Sequence, residues 1–195
     1  MKLINPEGAT PLDPDAAAGL IPALSTHGEL NEFEAVNITD AVLWARRSRN
    51  LRRDLLAIPM LQELHRRMFD RTWKWAGKFR TSDTNIGVHW VQIGTDVKNL
   101  CDDAIFQITH AVYPGDEIAV RFHYRLVTTH PFPNGNGRHA RLAADLLVRR
   151  EGGTAFTWGS ASLVGDGASR REYLDSLREA DGGKFERLLR FARSR

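Results

Sequence analysis

Apolar residues recur three and four positions apart through most of the chain, and that spacing predicts helices. Leu30, Phe33, Val36, Ile38, Ala41, Val42 and Ala45 outline a long helix ending near Ser48, entered through a turn over residues 25–32. Pro59 opens a second helix with a wide apolar stripe of Leu61, Leu64, His65, Met68, Phe69 and Trp73. Both stripes are read as core. Val97, Leu100, Cys101, Ala104, Ile105 and Ile108 predict a third helix over 96–112, and Pro114-Gly115-Asp116 breaks it. A fourth covers 117–129, with Ile118, Phe122 and Leu126 in one row that His130 extends to the lip of the core. A fifth runs over 138–150, with Leu142, Ala143, Leu146 and Leu147 inward, and two more over 169–180 and 183–192 turn at Gly182-Gly183.

Two stretches break the pattern. Residues 1–12 carry Pro6, Gly8 and Pro11 and read as an irregular arm, after which Asp13-Pro14-Asp15 starts a short helix that Gly19 and Pro22 interrupt. Residues 77–93 lack good helix formers, hold Gly87 centrally and are rich in Val88, Trp90, Val91 and Ile93. They predict one small β-hairpin, which must lean on the helices or act as a mobile flap because a lone hairpin is marginal in water. The expected class is therefore all-α with a single hairpin, and no repeat or long linker divides it.

Composition narrows the setting. At 195 residues the chain can bury one substantial core, and 42% hydrophobic with 26% charged residues is ordinary for a water-exposed globular protein. No apolar run is long enough for a bilayer, and the first residues lack the apolar stretch of a signal peptide, so no membrane partner is expected. Cys101 is the sole cysteine, which excludes an intrachain disulfide and suits a reducing, cytoplasmic setting. The net charge of +3 arises from clusters such as Arg46, Arg47, Arg49, Arg52 and Arg53. Without zinc spacing or an aromatic-basic strand pattern, solvated helix faces explain them better than nucleic acid does.

The chemistry concentrates in His130-Pro131-Phe132-Pro133-Asn134-Gly135-Asn136-Gly137-Arg138-His139-Ala140-Arg141. Gly135 and Gly137 permit unusual backbone angles and close ligand approach. A helix starting near Gly137 would aim its first N–H groups back into the loop, a setting that favours anions. Arg138 and Arg141 oppose that helix dipole, which argues for a phosphate-rich ligand gripped between them. His130 on the facing rim suits a general base near neutral pH, whereas alone it would read as a helix C-cap. His139 is expected to face solvent. The lysine of a P-loop, the third glycine of a dinucleotide fingerprint and a His-Glu-x-x-His zinc helix are all lacking.

The loop resembles the signature of the Fic family, His-x-Phe-x-(Asp/Glu)-Gly-Asn-Gly-Arg-x-x-Arg, through His130, Phe132, Gly135, Asn136, Gly137, Arg138 and Arg141. The resemblance covers about residues 30 to 192 and implies a helical bundle with a hairpin flap, a Fic domain over 30–195 behind an arm over 1–29. It implies transfer of AMP from ATP to a hydroxyl of a target protein, with Mg²⁺. In that scheme His130 is the base, and Gly135, Asn136, Gly137, Arg138 and Arg141 bind phosphates. Phe132 anchors the loop, Tyr173 walls the nucleoside pocket, and Ile86, Gly87, Val88 and His89 form the flap that docks the target by strand addition. The family's acidic, Mg²⁺-binding position is Asn134 here, and a neutral amide holds a hard cation more weakly than a carboxylate does. That departure keeps two alternatives open: transfer of another nucleotide or phosphate-linked group, and a non-catalytic nucleotide-binding module. Ser25-Thr26-His27-Gly28-Glu29 is similar to the inhibitory (Ser/Thr)-x-x-x-Glu-(Gly/Asn) pattern, with Leu30 at the last position, which implies Glu29 pairing with Arg141; an ordinary first-turn acid is the competing reading. The arm over 5–13 is similar to a bacterial subgroup called mobile mystery protein B, whose neighbouring partner resembles a helix-turn-helix regulator.

Overall fold

The computed structural model describes residues 17–24, 26–159 and 167–194. Eight α-helices follow one another among these residues: α1 His27–Arg47, α2 Arg49–Asp54, α3 Ile58–Phe69, α4 Ile93–Thr109, α5 Gly115–Thr129, α6 Asn136–Arg150, α7 Ala168–Asp181 and α8 Glu186–Arg193. The all-helical class follows the 3.6-residue spacing of apolar positions. The arm over 1–12 and the short helix at Asp13 lie outside the described residues.

Local signals account for the boundaries. Thr26 caps α1 by accepting from Glu29 N–H at 3.2 Å, and Glu29 Oε2 accepts from Thr26 N–H at 2.9 Å, a reciprocal capping box. Ser48 stops α1 and its Oγ caps α2, a helix the apolar pattern leaves unmarked, because α2 buries only Leu51. Pro59 lies in the first turn of α3, where its missing N–H costs nothing. α5 and α6 pack as an antiparallel pair around the motif loop, α3 lies across α6, and α1 packs along α3. Small residues Ala140, Ala143 and Ala144 on α6 are fully buried and let these helices approach closely. Leu61, Leu64, Met68, Phe69, Phe122, Leu126, Phe132 and Leu147 fill the centre.

Two expectations are corrected. The buried face of α1 is Leu30, Glu34, Asn37, Ala41 and Ala45, while Phe33, Val36 and Leu43 are exposed. Polar Glu34 and Asn37 take core-facing positions because they have buried donors and acceptors to meet: Asn37 donates to Arg67 O at 3.0 Å and accepts from Arg71 N–H at 3.1 Å, closing the end of α3. Residues 81–89 form bends rather than a hairpin, followed by a single 3₁₀ turn at Trp90–Gln92. Their backbone groups are taken elsewhere: Ser82 O and Val88 O accept from the Arg80 guanidinium, Val88 N–H donates to Thr129 O, and Trp90 N–H donates to Asp83 Oδ1. With those partners in place no two-strand ladder forms. Among the described residues the one recorded bridge pairs Leu20 with Trp73. No described helix is long and apolar enough to cross a membrane.

Candidate active site

α5 ends on His130 and α6 begins after Gly135, so six residues turn the chain between two packed helices. His130 is the C-cap of α5 in the left-handed region (φ 53°, ψ 58°), and its N–H donates to Leu126 O at 3.3 Å. Such a backbone angle is uncommon for a residue with a Cβ. His130 is 5% exposed, and burial, then the charge of Arg80, hold its imidazole down at about 4, opposed by the Val127 backbone. The ring is therefore neutral through the whole physiological range.

The loop is locked from inside. Asn136 is buried and its amide closes a ring with Phe132, accepting from Phe132 N–H at 2.9 Å and donating to Phe132 O at 2.7 Å. Its side chain is thus occupied, and Asn136 faces a ligand only through its backbone N–H. Phe132 is fully buried and stacks on His65, with ring centroids 3.7 Å apart. His65 Nε2 meets Asn134 O at 3.1 Å, and its Nδ1 accepts from Gly77 N–H at 3.0 Å, which sets the tautomer with the proton on Nε2. His139 is fully buried, not solvent-facing: Nε2 meets Leu61 O at 2.9 Å and the ring lies edge-on to Phe132. Its place one turn into α6 aims it at α3, which the charged flanks in the sequence concealed.

Gly135 and Gly137 differ in their reasons. Gly135 has φ +78°, and a Cβ there would stand 2.5 Å from Phe69 Cζ. Gly137 is helical, and a Cβ would make ordinary contact with Arg141 Nη1 at 3.5 Å. Gly135→Ala is therefore expected to cost about 2–4 kcal/mol through strain and overpacking. That is roughly 5–10 °C of melting temperature for a chain of this size. Gly137→Ala is expected to keep its melting temperature and to weaken nucleotide binding by covering the helix end. Thermal melts and nucleotide titrations of both variants check the pair, and equal melting temperatures would refute it.

The first N–H to re-enter the helix is that of His139, donating to Gly135 O at 2.9 Å. The N–H groups of Asn136, Gly137 and Arg138 precede it and form the free, partly positive end of α6. Arg138 stands there with its guanidinium 5.0 Å from the Phe69 ring centroid, and Nη1 donates to Glu34 Oε2 at 2.6 Å. Glu34 is 4% exposed and its other oxygen accepts from Trp73 Nε1 at 2.7 Å. Arg141 lies over the Tyr173 ring at 5.5 Å, and the Tyr173 hydroxyl meets His123 Nε2 at 3.1 Å. Tyr173 and His123 are both buried, so they form a support under Arg141. Burial, then the charge of Arg141, hold His123 at about 3.

Sequence patterns missed Glu34, His65, Arg80 and His123. Each was masked by its neighbours in an apolar row or a loop, and only the buried polar contacts single them out. Glu29, the residue proposed to inhibit, is exposed in the capping box of α1. The Glu34 carboxylate is ion-paired with the first motif arginine, Arg138. Asn134 Oδ1 accepts from Gly135 N–H at 2.6 Å, and no described cluster of three His, Cys, Asp or Glu side chains is placed to hold a metal ion.

Residues 56–148 match the model of the Fic/DOC family, a span that contains α3 through nearly all of α6. This span of the chain is a Fic/DOC domain. It is 29% identical over 143 residues to the protein adenylyltransferase fic-1 of Caenorhabditis elegans, covering 71% of this chain and 27% of that protein. It is 24% identical over 166 residues to a protein adenylyltransferase Fic of Nematostella vectensis, covering 83% of this chain and 37% of that one. The chain thus spans roughly a quarter to a third of the curated relatives it matches. A solved fragment of C. elegans Fic-1 superposes with a TM-score of 0.68 at 26% identity, covering 90% of this chain and 51% of the fragment. BepC of Bartonella tribocorum, solved with bound AMPPNP, shares the fold with a TM-score of 0.64 at 17% identity over 87% of each chain.

Proposed function

We propose that this Fic domain is a protein adenylyltransferase that moves AMP from ATP to a hydroxyl side chain of a target protein. One observation carries the reading: a neutral buried imidazole at the end of α5 is joined by a locked six-residue turn to the N–H end of α6 and its two arginines. The phosphates would lie on the N–H groups of Asn136, Gly137 and Arg138, with Arg138 and Arg141 taking developing negative charge. The target hydroxyl oxygen attacks the α-phosphorus, the bond to the β-phosphate bridging oxygen breaks, and pyrophosphate leaves with that electron pair. The hydroxyl proton passes to His130. A divalent cation enters on this reading as part of the nucleotide substrate. The cytoplasm is the proposed setting, consistent with the single, buried thiol of Cys101.

The names of the adenylyltransferase relatives favour ATP over other nucleotides. Incubation with α-labelled ATP, GTP, CTP and UTP tests this. Covalent label on protein from ATP supports the reading, and label from another nucleotide alone would replace it. Absence of label from all four, with nucleotide bound, would favour a binding module.

The proposal includes restraint by an N-terminal glutamate, and Glu34, paired with Arg138, is a candidate beside Glu29. Its carboxylate occupies Arg138, so a nucleotide phosphate must compete for that guanidinium. A charged hydrogen bond of this kind is worth about 1.5–3 kcal/mol. Glu34→Gln, which retains an acceptor for Trp73, is therefore expected to raise labelling about ten- to a hundredfold. Glu29→Gly, which removes the capping box, tests the competing Glu29 assignment in the same assay. A rise in Glu29→Gly with none in Glu34→Gln would reverse the assignment.

A further inference from the structure

Arg80 is a buried arginine, 4% exposed, whose donors go to main-chain carbonyls rather than to a carboxylate. Nε donates to His130 O at 2.7 Å, Nη1 donates to Ser82 O at 2.8 Å, and Nη2 donates to Val88 O. The nearest recorded carboxylate, Asp83, is 3.7 Å from Nη1. Burying a guanidinium among neutral acceptors is costly, and burial pulls Arg80 below its ordinary value. What the planar fork gains is geometry: three carbonyls from three places are held in one rigid frame. One belongs to the base residue, one to the start of the loop, and one to its centre. The Arg80 N–H adds a fourth tie, to Pro131 O at 2.9 Å, and Val88 N–H donates to Thr129 O at 3.3 Å. The loop and the base are also in van der Waals contact. A Cβ at Gly87 would sit 2.6 Å from His130 Cβ and 2.9 Å from Arg80 Nη2. Ile86, Gly87 and His89 stay exposed on the outer side of the same loop.

We propose that Arg80 is a positioning residue for the transfer reaction: by holding the carbonyls of His130 and Val88 in one guanidinium, it fixes the separation between the base and the segment on which a target chain lies. The inference rests on the adenylyl-transfer reading of the site. It assigns the 81–92 loop a set distance from the His130 ring, so that a chain bound along residues 86–89 presents its hydroxyl to that ring. A lysine at position 80 keeps the charge but cannot grip three carbonyls in one plane, and a methionine keeps the bulk without the charge. The nucleotide end of the site, at α6, does not involve Arg80 and should be indifferent to both.

The test uses the full chain in the Glu34→Gln background, comparing Arg80→Lys and Arg80→Met with the parent. Self-labelling from α-labelled ATP should fall about 10- to 100-fold in turnover in both variants. Affinity for a non-hydrolysable ATP analogue should stay within twofold. Amide exchange over 82–90 should quicken in both. Turnover within twofold of the parent, or a parallel loss of nucleotide affinity, would overturn the assignment. A parent that binds nucleotide without transferring label would sink the transfer reading alone. In that case unchanged exchange over 82–90 would overturn the Arg80 clamp, and quickened exchange would support it.

Discussion

Replacing His130 is expected to lower adenylyl transfer by about 10²–10⁴-fold, the range that a positioned general base contributes. The substitution must respect the backbone. His130 sits at φ 53°, which asparagine tolerates far better than alanine does. His130→Asn, in the Glu34→Gln background, therefore removes the base with the turn intact. Nucleotide affinity should change less than threefold, because the phosphates are held at the start of α6. Single-turnover labelling beside a nucleotide titration separates the two effects. A variant that still transfers at a tenth of the parent rate would show that the base lies elsewhere. The same ring predicts the pH dependence. Since burial and Arg80 hold it at about 4, the base form is fully present at neutral pH and is lost only as pH falls through about 4. The rate should not halve near the ordinary histidine value of about 6.5.

Stability is expected to fail in acid before that limit is reached. His65, His123 and His139 are fully buried and His130 nearly so, and burial is the leading cause of a lowered value in each. His123 is held at about 3, and His130 and His139 at about 4. In the unfolded chain all four would take protons near about 6.5. Between there and about 4 the unfolded state binds more protons than the folded one, so stability falls as pH falls. Asp145 works in the opposite sense. Burial raises it to about 6 against the lowering pull of the hydrogen bonds donated by Phe156 N–H and Trp158 Nε1, so the folded state binds its proton first. The net imbalance is about three protons, or roughly 4 kcal/mol per pH unit, against a typical total of about 5–15 kcal/mol. The urea midpoint should drop steeply between pH 6.5 and 5, with cooperative unfolding before pH 4. A midpoint that stays level from pH 7 to 5 would contradict the burial of these rings.

Much of this molecule was legible in its sequence. Helical spacing of Leu61, Leu64, Met68 and Phe69, and of Ile118, Phe122 and Leu126, identified helices whose stripes are in fact buried. The turn between α5 and α6 announced itself by residue type, since two glycines, two arginines and a histidine rarely share twelve positions without a ligand to bind. Failures came where polar residues occupy buried positions. Glu34 and Asn37 sit on the inner face of α1 and push Phe33 and Val36 outward, so the apolar stripe pointed the wrong way. Residues 77–93 have strand composition, yet the Arg80 fork took the carbonyls that a ladder would have needed.

The division has a physical cause. Periodicity and turn chemistry are short-range, set by neighbours within a few residues, and they are enough to specify the helix order and to mark the loop from His130 to Arg141. Partnership between buried polar groups is long-range. Arg138 meets Glu34 from 104 residues away and Arg80 meets His130 from 50, and those distances close only when the helices pack. The residues that carry charge at the site were thus set by sequence, while which glutamate faces which arginine, and what holds the base in place, were decided by tertiary structure.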